Sequence, residues 1–582
     1  MFSVLGKLAW FFKKYWLRYT VAISLLIIVS FLDVIPPWLV GMAIDEIQFG
    51  TLTTESLLQL ILFYGTIIVV SYVLTYFWMY QLFGGAFLLE RLMRFKFMKH
   101  LLSMTPTFYE KNRTGDLMAR ATNDLKAISM TAGFGILTLI DASIFMMVII
   151  GVMGFFISWK LTLAALLPMP IMAIAINYYG KVIHKQFLAA QDSFGDMNDN
   201  VLESIAGVRV NRAYVQEKAD QQRFQMMTDD VFEKNMSVAR TDSLFEPTIK
   251  ILVGISYVIG LGFGAYLVFQ NEITLGQLVS FNVYLGMLIW PMFAVGELIN
   301  VMQRGNASLD RVNTTLSYKP DVFDKEDSAD LDVPTSIIYD NVSFQYPMSA
   351  TLNLKNVSFT VKQGQTIGIV GKTGSGKTTI LKQLLREYPV GAGRISISGV
   401  PIENITLDTL QRWIGYVPQE QILFSRSIRE NLEFGKSNVS TEEINNVLAS
   451  AAFDTDLTLL PEGLETLVGE KGVALSGGQK QRISIARALL KDPEILMLDD
   501  AMSAVDGKTE AKIIENIRHE RKGKTTFISA HRISAVQHAD WIIVMENGQI
   551  IEEGTHEQLL TLHGWYKEQC ERQQADSYGE VG

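Results

Sequence analysis

The sequence predicts a multi-domain chain: an all-α, six-helix transmembrane domain with long intracellular helices, followed by an α/β P-loop domain. Three observations predict it. Up to about Leu298 the chain carries repeated apolar runs of about 20 residues, enough to cross a hydrocarbon core of ~30 Å. Beyond about Ser328 no such run occurs, and β-favouring runs, turns and charges alternate as in a globular domain. Within that second half a glycine-rich run at 371–379 sits between a β-favouring run and a helical one. The overall composition, 49% hydrophobic and 19% charged, therefore averages two unlike halves. We place the transmembrane domain at 1–320, a linker at 321–335, the nucleotide-type domain at 336–570 and a tail at 571–582.

Six spans are expected, at about 17–44, 57–87, 133–158, 161–179, 247–269 and 275–298. Lys13, Lys14 and Arg18 precede the first span, whereas the following loop DEIQFGTLTTES has no Lys or Arg. Arg91, Arg94, Lys96 and Lys99 follow the second span, so both termini are expected in the cytoplasm of a multi-pass cell-membrane protein. The N-terminal run MFSVLGKLAWFFKKYWLRY lacks a small-residue cleavage site and suits a helix lying at the membrane interface. Segments 88–131 and 180–246 are long, charged and helix-favouring. They read as spans continuing far out of the bilayer and turning near Thr105–Asp116 and Glu203–Tyr214.

Asp33, Asp141 and Glu297 fall within spans, where a charge is costly and must face a cavity or a partner. Asp141 and Glu297 either line an inward-open cavity that attracts cationic substrates or meet neighbouring polar groups. Met146, Met147, Met287 and Met292, with Phe281, Tyr284 and Trp290, suit either an adaptable apolar cavity or helix packing. A net charge of −9 without a basic stripe argues against nucleic acid as a partner. The single cysteine, Cys570, excludes an intrachain disulfide and a cysteine metal cluster.

In the second half, GKTGSGKTT comprises Gly371, Lys372, Thr373, Gly374, Ser375, Gly376, Lys377, Thr378 and Thr379. Glycines let successive backbone N–H groups curl around phosphate oxygens, and the helix start adds a favourable dipole. Lys377 is expected on the β/γ-phosphates of ATP and Thr378 on Mg²⁺. The run ILMLDD reads as a buried strand whose tip, Asp499, is suited to hold the same Mg²⁺. Between them LSGGQKQR is a second anion-binding helix start, comprising Ser476, Gly477, Gly478 and Gln479. A domain already holding ATP in one loop has no evident need of another. The economical reading is that this turn clamps ATP bound to a second subunit.

LSGGQ, with the Walker A and Walker B patterns on either side, resembles the ATP-binding-cassette family over practically the whole chain. The resemblance implies an exporter domain fused to a P-loop ATPase domain and further site residues. Tyr346, in VSFQYP, matches the aromatic that stacks on adenine. Gln419, in YVPQE, matches the glutamine that links Mg²⁺ and the attacking water to the membrane domain. Asp506, in SAVD, matches the loop crossing the dimer interface, and His531, in SAHR, the γ-phosphate histidine. VGEKG resembles the short loop that touches the coupling elements. FYEKNRTGDLMARATNDL and ESIAGVRVNRAY resemble the coupling segments of bacterial multidrug and lipid exporters.

One departure stands out. Where the family usually has glutamate after the Walker B aspartate, this chain has Asp500. A misplacement of ~1 Å costs ~10²-fold in rate, so the shorter side chain implies ATP binding with poor hydrolysis. The pattern resembles the degenerate subunit of heterodimeric multidrug exporters of Bacillus and related Gram-positive bacteria. It implies a non-identical half-transporter partner that carries the catalytic glutamate, and a hydrophobic small-molecule substrate. A homodimer, a lipid flippase and a peptide exporter are the alternatives.

Overall fold

The computed structural model describes residues 3–326, 328–469 and 475–579. Its contacts divide the chain into two compact units, one of residues 1–99 and 118–317, the other of 100–117 and 318–582.

The first unit is helical throughout. Among the described residues, five helices are long and apolar enough to cross a membrane: Trp16–Gln48, Thr54–Leu102, Thr114–Leu166, Glu217–Phe269 and Leu275–Ser317. The expected fourth span, 161–179, is divided at Leu167–Pro168, between helices Trp159–Leu166 and Met169–Ala206. Proline lacks the N–H that the ladder needs, and Pro168 starts the second of these helices. The first span also breaks, at Asp33–Val34, and restarts at Ile35 with Pro36 and Pro37 in its first turn, where missing donors cost nothing. The chain from Thr114 to Leu166 includes three π-helical turns: Arg120–Asp124, Asp141–Phe145 and Met153–Ser158.

Glycine brings the first and last spans together. A Cβ on Gly276 would lie 1.9 Å from the Gly41 carbonyl oxygen. Asp45 completes the seam, its carboxylate accepting hydrogen bonds from the Thr274 hydroxyl at 2.6 Å and the Gly276 N–H at 2.7 Å. Ser280 and Tyr284 donate to the carbonyls of Pro37 and Val34, which ties the restarted helix to the last span. The second span is the opposite case. Only 6% of its most apolar stretch is buried, against 44% for Leu275–Ser317, which leaves it facing lipid or another chain.

The short N-terminal helices Ser3–Lys7 and Ala9–Lys14 do more than lie at an interface. Val4, Leu8 and Phe11 are buried within the unit, and Lys7 bonds Asp310 at 2.5 Å. The intracellular extensions are helical, as expected. One helix runs unbroken from Thr54 to Leu102, and Met169–Ala206 and Glu217–Asp242 pack side by side. The short helix Val208–Ala213 turns between them, and none of its residues is buried.

The second unit contains two sheets. Strands β1 (Ser336–Phe344), β2 (Leu354–Lys362), β4 (Ala392–Ile397) and β5 (Val400–Pro401) form an antiparallel sheet in the order β2-β1-β4-β5. The other sheet orders β10-β9-β3-β8-β7-β6, from β3 (Thr366–Gly371), β6 (Ile414–Val417), β7 (Ile495–Asp499), β8 (Thr525–Ser529), β9 (Trp541–Glu546) and β10 (Gln549–Gly554). All its pairs are parallel except β9–β10. Strands β7 and β8 are buried at every residue, the run of apolar residues a parallel sheet covered on both faces requires. Ligands of such sheets gather outside the carboxyl ends of the strands, where the loops after β3, β6, β7 and β8 converge.

The expected linker is tied to this unit rather than free. Arg386 donates to the Phe323 carbonyl at 2.6 Å, Trp413 to the Asp332 carbonyl at 3.1 Å, and Arg412 pairs with Asp330 at 2.9 Å. Residues 100–117 belong here too. Their short helix Pro106–Lys111 sets Phe108 edge-on to Tyr318 at 5.3 Å and hydrogen-bonds Thr105 to Asp321.

Candidate nucleotide site

Strand β3 ends at Gly371, and the helix Lys377–Leu384 starts six residues on, with Gly376 as its N-cap. Gly374 and Gly376 have φ of +79° and +104°, which side-chain-bearing residues rarely adopt. A Cβ on Gly371 would lie 2.1 Å from the Met545 carbonyl oxygen. Lys377 folds back over the loop, donating to the carbonyls of Gly371 at 2.9 Å and Lys372 at 3.1 Å. Its ammonium is held below the ordinary lysine range, chiefly by burial. The Ser375 hydroxyl is buried without a partner. A buried cation paired only with carbonyls beside an orphaned hydroxyl marks a cradle for anionic oxygens, and a triphosphate fits it.

At the tip of β7, Asp499 is buried, and its carboxylate accepts the Thr378 hydroxyl at 3.0 Å. The structure thus joins the two strongest predicted metal-binding residues across 121 positions of chain. The donors are a hydroxyl and a carboxylate, hard oxygens of the kind Mg²⁺ takes when phosphates complete its shell. Gln419, two residues beyond β6, is exposed. Tyr416 inside β6, which the sequence did not single out, reaches the other oxygen of Asp499 at 3.4 Å.

Asp500 follows with φ +48°, its N–H donating to the Ser529 carbonyl at 2.9 Å. Aspartate is among the few side-chain-bearing residues enriched in that left-handed region, so the backbone suits the residue present. Burial, joined by the charge of Asp499, pushes its carboxyl up; His531 and Lys377 oppose this. His531 is held below its ordinary range by burial and by Lys377. A cavity of about 90 Å³, room for a few waters, lies beside them, with Asp500, Ser529, His531 and Arg532 in its wall.

Tyr346 sets its ring edge-on to Phe344 at 5.0 Å and donates to the Thr379 hydroxyl at 3.2 Å. It therefore stands beside the start of the phosphate-loop helix.

The LSGGQ turn is built differently. Ser476 caps the helix Gly477–Leu490, accepting the Gln479 N–H while the Gln479 side chain accepts the Ser476 N–H. Gln479 also donates to Asp456, whose carboxylate pairs with the half-shielded Arg482 at 2.6 Å. A Cβ on Gly478 would lie 2.8 Å from the Ala504 carbonyl oxygen, and Gln481 bonds Ser503 and Ala504. The signature is thereby seated on the loop that leads to Asp506, which caps the next helix through the Thr509 N–H. The expected VGEKG loop falls at 468–472, and its residues 470–472 lie outside the described residues.

In the membrane half, polar neighbours meet two of the three intramembrane carboxylates. Asp33 accepts the Ser71 hydroxyl at 2.8 Å and Asp141 the Trp290 indole N–H at 2.9 Å, while Glu297 is exposed. Phe281 and Tyr284 pack in the helix core, and Tyr284 and Met147 also wall an apolar groove of about 630 Å³ with Phe31, Trp38 and Phe155.

Known proteins share both halves. Residues 19–292 match the ABC transporter transmembrane region family, and 354–503 match the ABC transporter family. The whole chain is 63% identical to the whole of a probable multidrug resistance ABC transporter ATP-binding/permease protein, YheI, of Bacillus subtilis. The chain is an ATP-binding-cassette exporter. It is also 41% identical to the multidrug resistance-like protein MdlA of Escherichia coli, over 98% of this chain and 97% of that one. An ATP-dependent lipid A-core flippase of Syntrophus aciditrophicus is 34% identical over 79% of this chain and 76% of its own. The structure of an ATP-bound bacterial Atm1-family exporter superposes with a TM-score of 0.77 at 25% identity, covering 96% of this chain and 98% of that one. ABC exporters work as dimers in a lipid membrane, so this chain is one half of an ATP-hydrolysing transporter.

Proposed function

We propose that this ABC exporter subunit belongs to a heterodimer that expels hydrophobic or amphipathic compounds from the cell. It holds ATP in its own phosphate loop, hydrolyses it slowly there, and lends Ser476–Gln479 to its partner's nucleotide. The observation that carries this reading is Asp500, where the family places a glutamate. The loop from Gly371 to Thr379 surrounds the triphosphate, with Lys377 turning from its two carbonyls to the β/γ-oxygens. Thr378, Asp499 and Gln419 would hold Mg²⁺, which would supply neutralisation of phosphate charge there. Tyr346 stacks on adenine, and His531 meets the γ-phosphate. Asp500 polarises the attacking water, from a carboxylate set back by one methylene. Multidrug naming of the relatives supports the substrate class, and the Lys/Arg bias supports cytoplasmic termini in the cell membrane.

The test is to purify this chain alone and with a candidate second half-transporter. Weak ATPase activity alone and strong activity together are expected; vigorous hydrolysis by the lone chain would sink the heterodimer. Within the complex, Asp500→Glu is expected to raise turnover at this site at least about 10-fold, by restoring the ~1 Å of reach. Unchanged ATP occlusion would assign the defect to other residues. Dyes and labelled lipids offered side by side decide the substrate class, because the flippase relative makes lipid the specific competitor.

A further inference from the structure

The helix Pro106–Lys111 makes one contact with the ATPase unit that its seating does not need. Phe108 is buried with Met104 and Leu117 and stacks edge-on against Tyr318, which anchors the helix. Two residues on, the Glu110 carboxylate accepts the Tyr388 hydroxyl at 2.5 Å. Tyr388 is 2% exposed, and its ring meets Tyr346 edge-on at 5.1 Å and 82° and Phe344 at 5.6 Å. Tyr346 in turn bonds Thr379, the neighbour of Thr378. An unbroken path of contacts thus runs from a carboxylate on an intracellular helix to the aromatic ring beside the phosphate loop.

Edge-to-face rings 5 Å apart hold each other's orientation. A charged acceptor on the hydroxyl of a buried tyrosine pins the direction of the ring's long axis, and so where the ring sits, more firmly than a hydroxyl without one. We infer that Glu110 and Tyr388 are positioning residues that tie the seating of the intracellular helix to occupancy of the nucleobase position on Tyr346. Coupling between two sites is reciprocal. A base stacked on Tyr346 steadies Tyr388 and strengthens its bond to Glu110, and a seated helix favours the base. The phosphates alone carry no such message, because they occupy the loop without touching Tyr346. The inference rests on Tyr346 being the adenine platform.

Inorganic tripolyphosphate separates this link from a merely structural bond, since it fills the phosphate loop and has no base. Binding of ATP and of tripolyphosphate is measured on the full chain in its membrane complex. The variants are Tyr388→Phe, Glu110→Ala, Glu110→Gln and the double variant Tyr388→Phe/Glu110→Ala. Tyr388→Phe and Glu110→Ala are each expected to weaken ATP about 5-fold, at the lower end of ordinary coupling, and to leave tripolyphosphate within about 2-fold. The double variant is expected to be no worse than either single one, because both remove the same bond. Glu110→Gln retains an acceptor and is expected to keep most of the affinity. ATP affinity unchanged in Tyr388→Phe, equal loss of ATP and tripolyphosphate, or additive losses would overturn the link. A wild type that binds tripolyphosphate as tightly as ATP would instead remove the adenine role of Tyr346, and the link with it.

Discussion

The two intracellular turns are the same kind of element with opposite surroundings. The first, Pro106–Lys111, buries Phe108, bonds Thr105 to Asp321 and Glu110 to Tyr388, and belongs to the ATPase unit of its own chain. The second, Val208–Ala213, buries nothing. Val208, Val210, Tyr214 and Val215 are 49%, 59%, 73% and 79% exposed, an apolar tip at the end of two long polar helices. Val215 also sits at φ +54°, a genuine outlier for a β-branched residue. One turn is satisfied within the chain. The other carries exposed apolar surface and a strained residue, the combination expected of a surface that a second subunit covers.

The contrast is easiest to break at Phe108. Removing a buried phenylalanine costs about 3–5 kcal/mol, so Phe108→Ala is expected to unseat the first turn in the lone chain as well as in the complex. Hydrogen exchange across 104–117 would report it, and unchanged protection would show that the seat lies elsewhere. Val210→Asp tests the other side. In the lone chain it is expected to leave the unfolding free energy within about 0.5 kcal/mol of wild type, as exposed substitutions do. In the assembled dimer it places a charge in an apolar contact and is expected to cut coupled ATPase activity about 10-fold. Equal activity in the complex would mean that nothing covers this tip. The smallest effect belongs to Val215→Asn. Asparagine tolerates the left-handed region, where valine costs about 1 kcal/mol, so slower exchange across 208–217 is expected in the lone chain.

The same contrast governs what the sequence made legible. The phosphate loop, the Walker B strand and LSGGQ were readable because each is local: a few adjacent residues set the backbone that does the work. Both turns were placed within a few residues, since charge and helix propensity fall at the same points. Which of them is buried was not readable, because burial of Phe108 depends on Tyr318, some 210 residues away, and Val210 differs by nothing local. Tyr388, Tyr416 and Glu110 were missed for that reason too. Each acquires a role only through a partner brought close by the fold, and each is otherwise an ordinary residue of a strand, a loop or a short helix. Asp141 lay between two readings until Trp290 supplied its donor.

The three π turns between Thr114 and Leu166 bear on how this span tolerates change in length. A π turn holds one residue more than the α turn it replaces, so each is a place where the chain carries a spare position. Deleting one residue from 120–124, 141–145 or 153–158 would turn that coil back to α, and the faces on either side would keep their bearing. The same deletion at Phe134–Ile140 would rotate everything beyond it by about 100°, one residue's share of a 3.6-residue turn, and carry the buried Ile149 out of its packing. Single-residue gaps among relatives of this exporter are therefore expected to cluster in those three short windows.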